Sequence, residues 1–138
     1  MILADTGPIV ALFDRDDRYH ALCLQTLEGF HENLITTWPV LTECLYLLGF
    51  SAAAQDDLWT FLKRGGLELF PLDRRHFSQC RNLMRQFRNL PMDLADASLV
   101  VAADALGTAK VFTLDHRDFS AYRFRNARKF ALSPAKLV

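Results

Sequence analysis

Pro91-Met92-Asp93-Leu94-Ala95-Asp96-Ala97-Ser98-Leu99-Val100-Val101-Ala102-Ala103 places two carboxylates three residues apart at the head of an apolar, helix-spaced run. Positions i and i+3 of a helix share a face, so Asp93 and Asp96 are expected to point roughly the same way. Asp93 is also a good N-cap, and an acid in the first turn complements the helix dipole. Capping alone would account for the pair. The helix is expected to end near Gly107. Lys110-Val111-Phe112-Thr113-Leu114 then reads as a short apolar strand that reaches Asp115.

Upstream the same alternation repeats. Ile2-Leu3-Ala4 reads as a buried strand that hands over at Asp5-Thr6-Gly7-Pro8 to a short helix, Ile9 to Phe13, with Pro8 favoured at its start. Asp16 or Asp17 is expected to open a second helix, on which Tyr19, Leu22, Cys23, Leu27 and Phe30 recur at helical spacing. Asn33 to Thr37 is a second strand candidate. Pro39 starts a third helix bearing Glu43, Ser51 caps a fourth, and Gly65-Gly66 ends it. Leu67 to Leu72 alternates as a strand. Asp73 is expected to cap a long fifth helix whose apolar positions include Phe77, Cys80, Leu83, Met84 and Phe87, and which carries Arg74, Arg75, Arg81, Arg85 and Arg88. Phe130-Ala131-Leu132 is a last strand candidate.

Short apolar strands alternating with helices predict a three-layer α/β/α sandwich around a central, mainly parallel sheet. With 138 residues, no repeat and no internal linker, residues 1–138 read as a single domain. Apolar residues make up 51% and charged residues 23%, as in an ordinary folded protein. Lysine plus arginine and aspartate plus glutamate number 16 each, so net charge identifies no partner. The apolar start is interrupted by Asp5 and followed by Asp14-Arg15-Asp16-Asp17-Arg18, which argues against a signal peptide. No apolar run approaches the roughly 20 residues needed to span a bilayer. Cys23, Cys44 and Cys80 lack zinc-like spacing and read as buried hydrophobes in a reducing cytoplasm.

Functional groups of an open α/β sheet gather at the carboxyl ends of its strands. Asp5 ends the first strand, and Asp115 ends the strand after the Asp93–Ala103 helix. Glu43 and Asp96 each lie one turn into a helix beside such an end. Each has a local alternative: Asp5 as a cap, Glu43 as a dipole partner, Asp115 as a turn residue of Asp115-His116-Arg117-Asp118. Acids at equivalent strand ends in apolar surroundings are better explained together. Two carboxylates ~4 Å apart repel by about 4 kcal/mol at an effective dielectric near 20. Three or four must therefore stay protonated or bind cations. Every donor is an oxygen and no histidine accompanies Asp5, Glu43 or Asp96, which suits magnesium or manganese rather than zinc. His116 reads as a surface or supporting residue. A hard-cation cluster without a phosphate-binding glycine loop is suited to phosphodiester hydrolysis.

Asp5-Thr6-Gly7-Pro8-Ile9-Val10-Ala11-Leu12 resembles the opening motif of PIN-domain proteins, and Leu41-Thr42-Glu43 their second acidic motif. Asp93 to Ala103 resembles the third, and Phe112-Thr113-Leu114-Asp115-His116-Arg117-Asp118-Phe119 the fourth. Four motifs in order cover nearly the entire chain, and a chain this small is most similar to the VapC-type toxins of bacterial toxin–antitoxin pairs. The resemblance implies a ribonuclease dependent on Mg2+ or Mn2+, with one or two ions and Asp5, Glu43, Asp96 and Asp115 as its acidic quartet. Asp5, Asp96 and Asp115 would bind the cation directly or through water, and Glu43 would position or deprotonate the attacking water. Thr6 and Thr113 match the family's auxiliary positions. Gly7-Pro8 departs from the polar-then-apolar pair of many members, which affects only local backbone shape. Asp93 is an extra acid that could share the metal, and Asp118 competes with Asp115 for the fourth position.

RNA would require cationic surface around this anionic pocket. Arg117, Arg123, Arg125, Arg128 and Lys129 lie close together with only Asp118 opposing them, and the arginine-bearing fifth helix is a second candidate face. Tyr122 and Phe124 fit core packing better than base stacking. Cys44-Leu45-Tyr46-Leu47-Leu48-Gly49-Phe50 is apolar around more than one helix face, as in a deeply buried helix or one that meets a partner. The resemblance favours a homodimer or higher oligomer and an antitoxin groove here. Two other enzyme-like readings fail. Asp5-Thr6-Gly7 as an aspartic-protease triplet needs a β-rich framework with paired aspartates, and a phospho-acceptor domain needs a lysine after a late strand. A PIN-like module that binds RNA or protein with weak catalysis is the remaining alternative, disfavoured because all four acidic positions are filled.

Overall fold

Ile2–Ala4 form β1, the centre of a five-stranded sheet in the computed structural model, which describes residues 1–125 and 127–137. After β1 the chain runs through α1 (Thr6–Phe13), α2 (His20–Glu28), β2 (Leu34–Thr36), α3 (Trp38–Leu47), α4 (Ala52–Lys63) and β3 (Leu67–Leu69). A 3-10 turn, Arg74–His76, leads into α5 (Phe77–Gln86), followed by α6 (Leu94–Leu106), β4 (Lys110–Phe112) and α7 (His116–Ala121). A hairpin of β5 (Arg123–Phe124) and β6 (Arg128–Lys129) precedes β7 (Ala131–Ser133).

The sheet order is β3-β2-β1-β4-β7, and all four pairings are parallel. Leu3 pairs with Ile35 on one side and with Val111 on the other. The chain thus winds outward from β1 to β3, then returns to place β4 on the opposite flank of β1. A crevice opens at such a reversal, outside the carboxyl ends of the two diverging strands. Here those strands are β1 and β4.

The strands read as unbroken apolar runs because helices cover both faces of the sheet. Leu3, Val111 and Phe112 are fully buried, as are Ala97, Leu99 and Val101 of α6. The helix carrying the two spaced acids is thus a central core element. Asp93 is its N-cap, accepting from the Asp96 backbone N–H at 2.9 Å, and Gly107 ends it in the left-handed region at φ 70°. The buried hydroxyls of Thr37, just ahead of α3, and Ser98 on α6 meet at 2.5 Å. That contact ties together two of the helices that present acids.

Several boundaries differ from expectation. The second helix starts at His20, not at Asp16 or Asp17. The carboxylates of Asp14 and Asp17 accept from the backbone N–H groups of Asp16 and Tyr19, holding this stretch in turns. Asp73 caps the 3-10 turn rather than α5 itself, through a reciprocal contact with His76. Phe77 lines an open groove with Cys80 and Met84 and is 70% exposed, instead of entering a closed core. The Asp115–Asp118 stretch, read only as a turn, begins α7: Asp115 is its N-cap and Phe119 its single fully buried anchor. The last strand is shifted by one residue. Among the described residues no helix is long and apolar enough to cross a membrane.

Candidate active site

The crevice at the β1–β4 reversal is a cleft of about 550 Å³ lined by six carboxylates: Asp5, Glu43, Asp93, Asp96, Asp115 and Asp118. They come from four separated segments. Asp5 follows β1 and caps α1, with its own backbone N–H donating to Phe112 O of β4 at 2.9 Å. Glu43 projects from α3, Asp93 and Asp96 from the head of α6, and Asp115 and Asp118 from the start of α7.

Each of the inner acids is held by a specific donor. Asp5 Oδ1 accepts from the Thr6 backbone N–H and Oδ2 from the Thr113 hydroxyl, both at 2.8 Å. Thr113 Oγ1 also accepts from the Asp115 backbone N–H at 2.9 Å, so one buried threonine positions two acids. The Thr6 hydroxyl donates to Glu43 Oε1 at 2.9 Å. Tyr122, fully buried, donates its hydroxyl to Asp96 Oδ2 at 2.8 Å. Asp115 Oδ1 accepts from the Asp118 backbone N–H at 3.1 Å.

Charge crowding registers as raised proton affinity. Burial, augmented by Asp115 and Glu43, pushes Asp5 up to about 6 against the opposing bonds from Thr113 and Thr6. Burial and the neighbouring Asp5, Asp93 and Asp115 raise Asp96 to about 7, even though Tyr122 opposes the rise. Burial and Asp93 also raise Glu43, while burial and the adjacent Asp115 raise Asp118. A pair of isolated helix caps would not behave this way, because a carboxylate that only accepts backbone N–H bonds is held low. Among the described residues no three acidic, histidine or cysteine side chains already stand at the mutual distances of a formed metal centre.

The other residues singled out in the sequence lie elsewhere. His116 is partly buried, does not line the cleft, and its Nε2 has no hydrogen-bond partner among the described residues. None of Arg117, Arg123, Arg125, Arg128 and Lys129 lines the cleft. Arg123 donates to the carbonyls of Ser120 and Tyr122, and Arg125 pairs with Asp104 at 3.2 Å. Arg128 lies over the Phe124 ring and donates to Gly107 O. Tyr122 and Phe124 are buried and cannot stack on bases. In place of that role, the Tyr122 hydroxyl reaches an acid of the cleft. Its only sequence signal was an aromatic residue with a polar handle in an arginine-rich stretch, and nothing linked it to a residue 26 positions earlier.

An all-parallel α/β/α domain with a ring of acids at the β1–β4 crevice defines a class of acid-cleft α/β proteins. The PIN domain family profile matches residues 2–125, and the chain belongs to that family. It is 27% identical over 135 residues to Ribonuclease VapC26 of Mycobacterium tuberculosis (strain ATCC 25618 / H37Rv), covering 96% of this chain and all of that protein. Its fold is similar to the crystal structure of Mycobacterium tuberculosis VapC20, described as a sarcin-ricin loop cleaving toxin. That likeness has a TM-score of 0.79 at 15% identity and covers 88% of this chain and 95% of the other.

Proposed function

We propose that this chain is a metal-dependent endoribonuclease, acting as a single nuclease domain and serving as the toxin of a type II toxin–antitoxin pair in the cytoplasm. The observation that carries the reading is the crowding of six carboxylates at one crevice, with Asp5 and Asp96 raised to about 6 and 7. The full-length similarity to a VapC ribonuclease supports it.

The donor set fits a hard divalent cation, because every cleft acid offers oxygen and neither histidine nor cysteine lines it. Asp5, Asp96 and Asp115 would hold Mg2+ or Mn2+, one ion or two, with Glu43 and Asp93 as further ligands and Asp118 beside them. When bound, the cation supplies charge neutralisation and Lewis-acid polarisation of water and phosphate oxygens.

The chain's own residues supply the geometry. Thr113 fixes Asp5 and the Asp115 backbone together, and Tyr122 fixes Asp96, so three acids are oriented before substrate arrives. Thr6 holds Glu43 by one oxygen and leaves the other to accept a proton from the attacking water. Its raised proton affinity suits it to that role. The water oxygen forms a bond to phosphorus, Glu43 takes the proton, and the phosphorus bond to the leaving ribose oxygen breaks. That oxygen is then protonated from solvent.

Tyr46, Leu47 and Phe50 are 83%, 51% and 67% exposed at the carboxyl end of α3, while Cys44 and Leu48 are buried. This exposed apolar end is the surface offered to a protein partner, an antitoxin or a second copy. The test is incubation of purified protein with structured RNAs, with Mg2+ or Mn2+, with chelator, and as Asp5→Asn and Asp96→Asn variants. Cleavage confined to metal-loaded wild type supports the proposal. Equal cleavage by the variants overturns it, and tight RNA binding without cleavage identifies a binding module instead.

A further inference from the structure

We propose that Tyr122 is a positioning residue for the metal site: its hydroxyl holds Asp96 Oδ2 against the core, so that Asp96 offers the cleft a single oxygen, and this favours Mg2+ over Ca2+. The proposal rests on the metal-dependent reading above. Tyr122 lies beyond the last of the four acidic motifs, 26 positions after Asp96 in the chain. Asp96 stands in the first turn of α6 and lines the cleft. Its Oδ2 accepts from the Tyr122 hydroxyl at 2.8 Å, and among the described residues its Oδ1 accepts no hydrogen bond.

The phenol cannot follow a carboxylate that turns away. Tyr122 is fully buried, and Phe87 and Phe119 stand edge-on to its ring at centroid distances of 5.2 and 5.1 Å. Its orientation is thus locked by packing. A rotation of Asp96 that turned both oxygens toward the cleft would leave a buried O–H without an acceptor, which is unfavourable. The neighbouring acids are restrained in the same sense: Asp5 accepts at both oxygens, and Glu43 and Asp115 at one each. Single oxygens suit a small cation. Mg2+ demands a near-octahedral shell and keeps several waters, whereas Ca2+ takes a larger, looser shell in which a carboxylate often binds through both oxygens. Asp5 and Asp115 keep a backbone donor whatever their side-chain partners. Among the described residues Asp96 has the Tyr122 hydroxyl alone, so it is where the restraint can be removed cleanly.

The experiment needs no RNA. Mn2+ is titrated into wild type, Tyr122→Phe and Leu58→Ala, free Mn2+ is read by electron paramagnetic resonance, and bound Mn2+ is then displaced with Mg2+ or with Ca2+. Tyr122→Phe deletes the hydroxyl and keeps the packed ring. Leu58→Ala opens a fully buried position of α4 away from the cleft and controls for a general loss of stability. Tyr122→Phe should weaken Mg2+ binding at least about tenfold, as the loss of a partner behind a metal ligand does. Ca2+ binding should fall much less, so the ratio of the two dissociation constants moves roughly tenfold toward Ca2+. Leu58→Ala should leave that ratio at the wild-type value. Mg2+ and Ca2+ affinities that fall together in Tyr122→Phe, or that do not change, overturn the proposal. An equal shift of the ratio in Leu58→Ala overturns it too, because selectivity then follows stability rather than the hydroxyl. Wild type that binds none of the three cations overturns the metal-dependent reading itself, which the other outcomes leave standing.

Discussion

Replacing Asp96 by Asn should abolish cleavage yet stabilise the metal-free protein, increasingly so as the pH rises from about 4 to about 7. Burial and the nearby acids lift Asp96 from 3.8 to about 7. A carboxyl raised on folding keeps its proton in the native state at pH values where the unfolded chain has lost it. Its contribution is therefore fully present below about pH 4 and is lost as the pH climbs through about 7. Above that, the span from 3.8 to about 7 corresponds to about 4 kcal/mol for complete burial, at ~1.4 kcal/mol per pH unit. Asp96 is only partly buried and opens onto the cleft, so about half of that, ~2 kcal/mol, is expected. Asn carries no charge and keeps a carbonyl to accept the Tyr122 hydroxyl. In a domain of this size ~2 kcal/mol moves Tm by roughly 6 °C. Thermal melts in chelator at about pH 8.5 should show that gain, and at about pH 4, near the unfolded value, it should nearly vanish. An equal effect at both pH values, or a loss at the higher one, refutes the crowded-acid reading and returns Asp96 to a helix-dipole partner.

Other perturbations separate the cleft from its scaffold. Tyr122→Phe removes the donor to Asp96 and should cost about 1–2 kcal/mol at alkaline pH and less in acid, seen as a pH-dependent Tm difference from wild type. It should also move the rising limb of the pH–rate profile to higher pH. Thr113→Val deletes the donor to Asp5 and the acceptor of the Asp115 N–H, so single-turnover cleavage should fall by at least about tenfold while circular dichroism stays native. Ser98→Ala strands the buried Thr37 hydroxyl and should lower stability by about 1–2 kcal/mol in denaturant titrations. Leu99→Ala, at a fully buried position of α6, should lower it by ~2–5 kcal/mol with the cleavage rate preserved at temperatures where the variant stays folded.

The parallel sheet was legible because its strands are continuous apolar runs with helical spacing between them, and each of Asp5, Glu43, Asp96 and Asp115 falls beside a strand end. The crevice was legible only in outline. That β4 lies beside β1, bringing Asp5 and Asp115 to one edge, is a property of strand order, which periodicity does not encode. Local hydrogen bonding overrode the pattern at the second helix, where Asp14 and Asp17 bind nearby backbone. α7 escaped because six residues with one buried anchor carry too little periodicity to detect. Tyr122 was found only by tertiary packing. The charged tail suggested an RNA face from composition, yet Arg123, Arg125 and Arg128 spend their donors on the protein itself. The groove on α5 arises because Phe77 faces outward while Met84 is only half-buried against the core, a distinction that helical spacing alone does not make.

The chemistry of the cut ends tests the acid cleft most directly. In the proposed mechanism, water activated by the cleft acids attacks phosphorus without help from the neighbouring ribose hydroxyl. Products of wild-type protein with Mn2+ should therefore carry linear monophosphate ends, and none should form with chelator or with Asp5→Asn. Cyclic 2′,3′-phosphate ends, formed at an equal rate by wild type and Asp5→Asn, would contradict it.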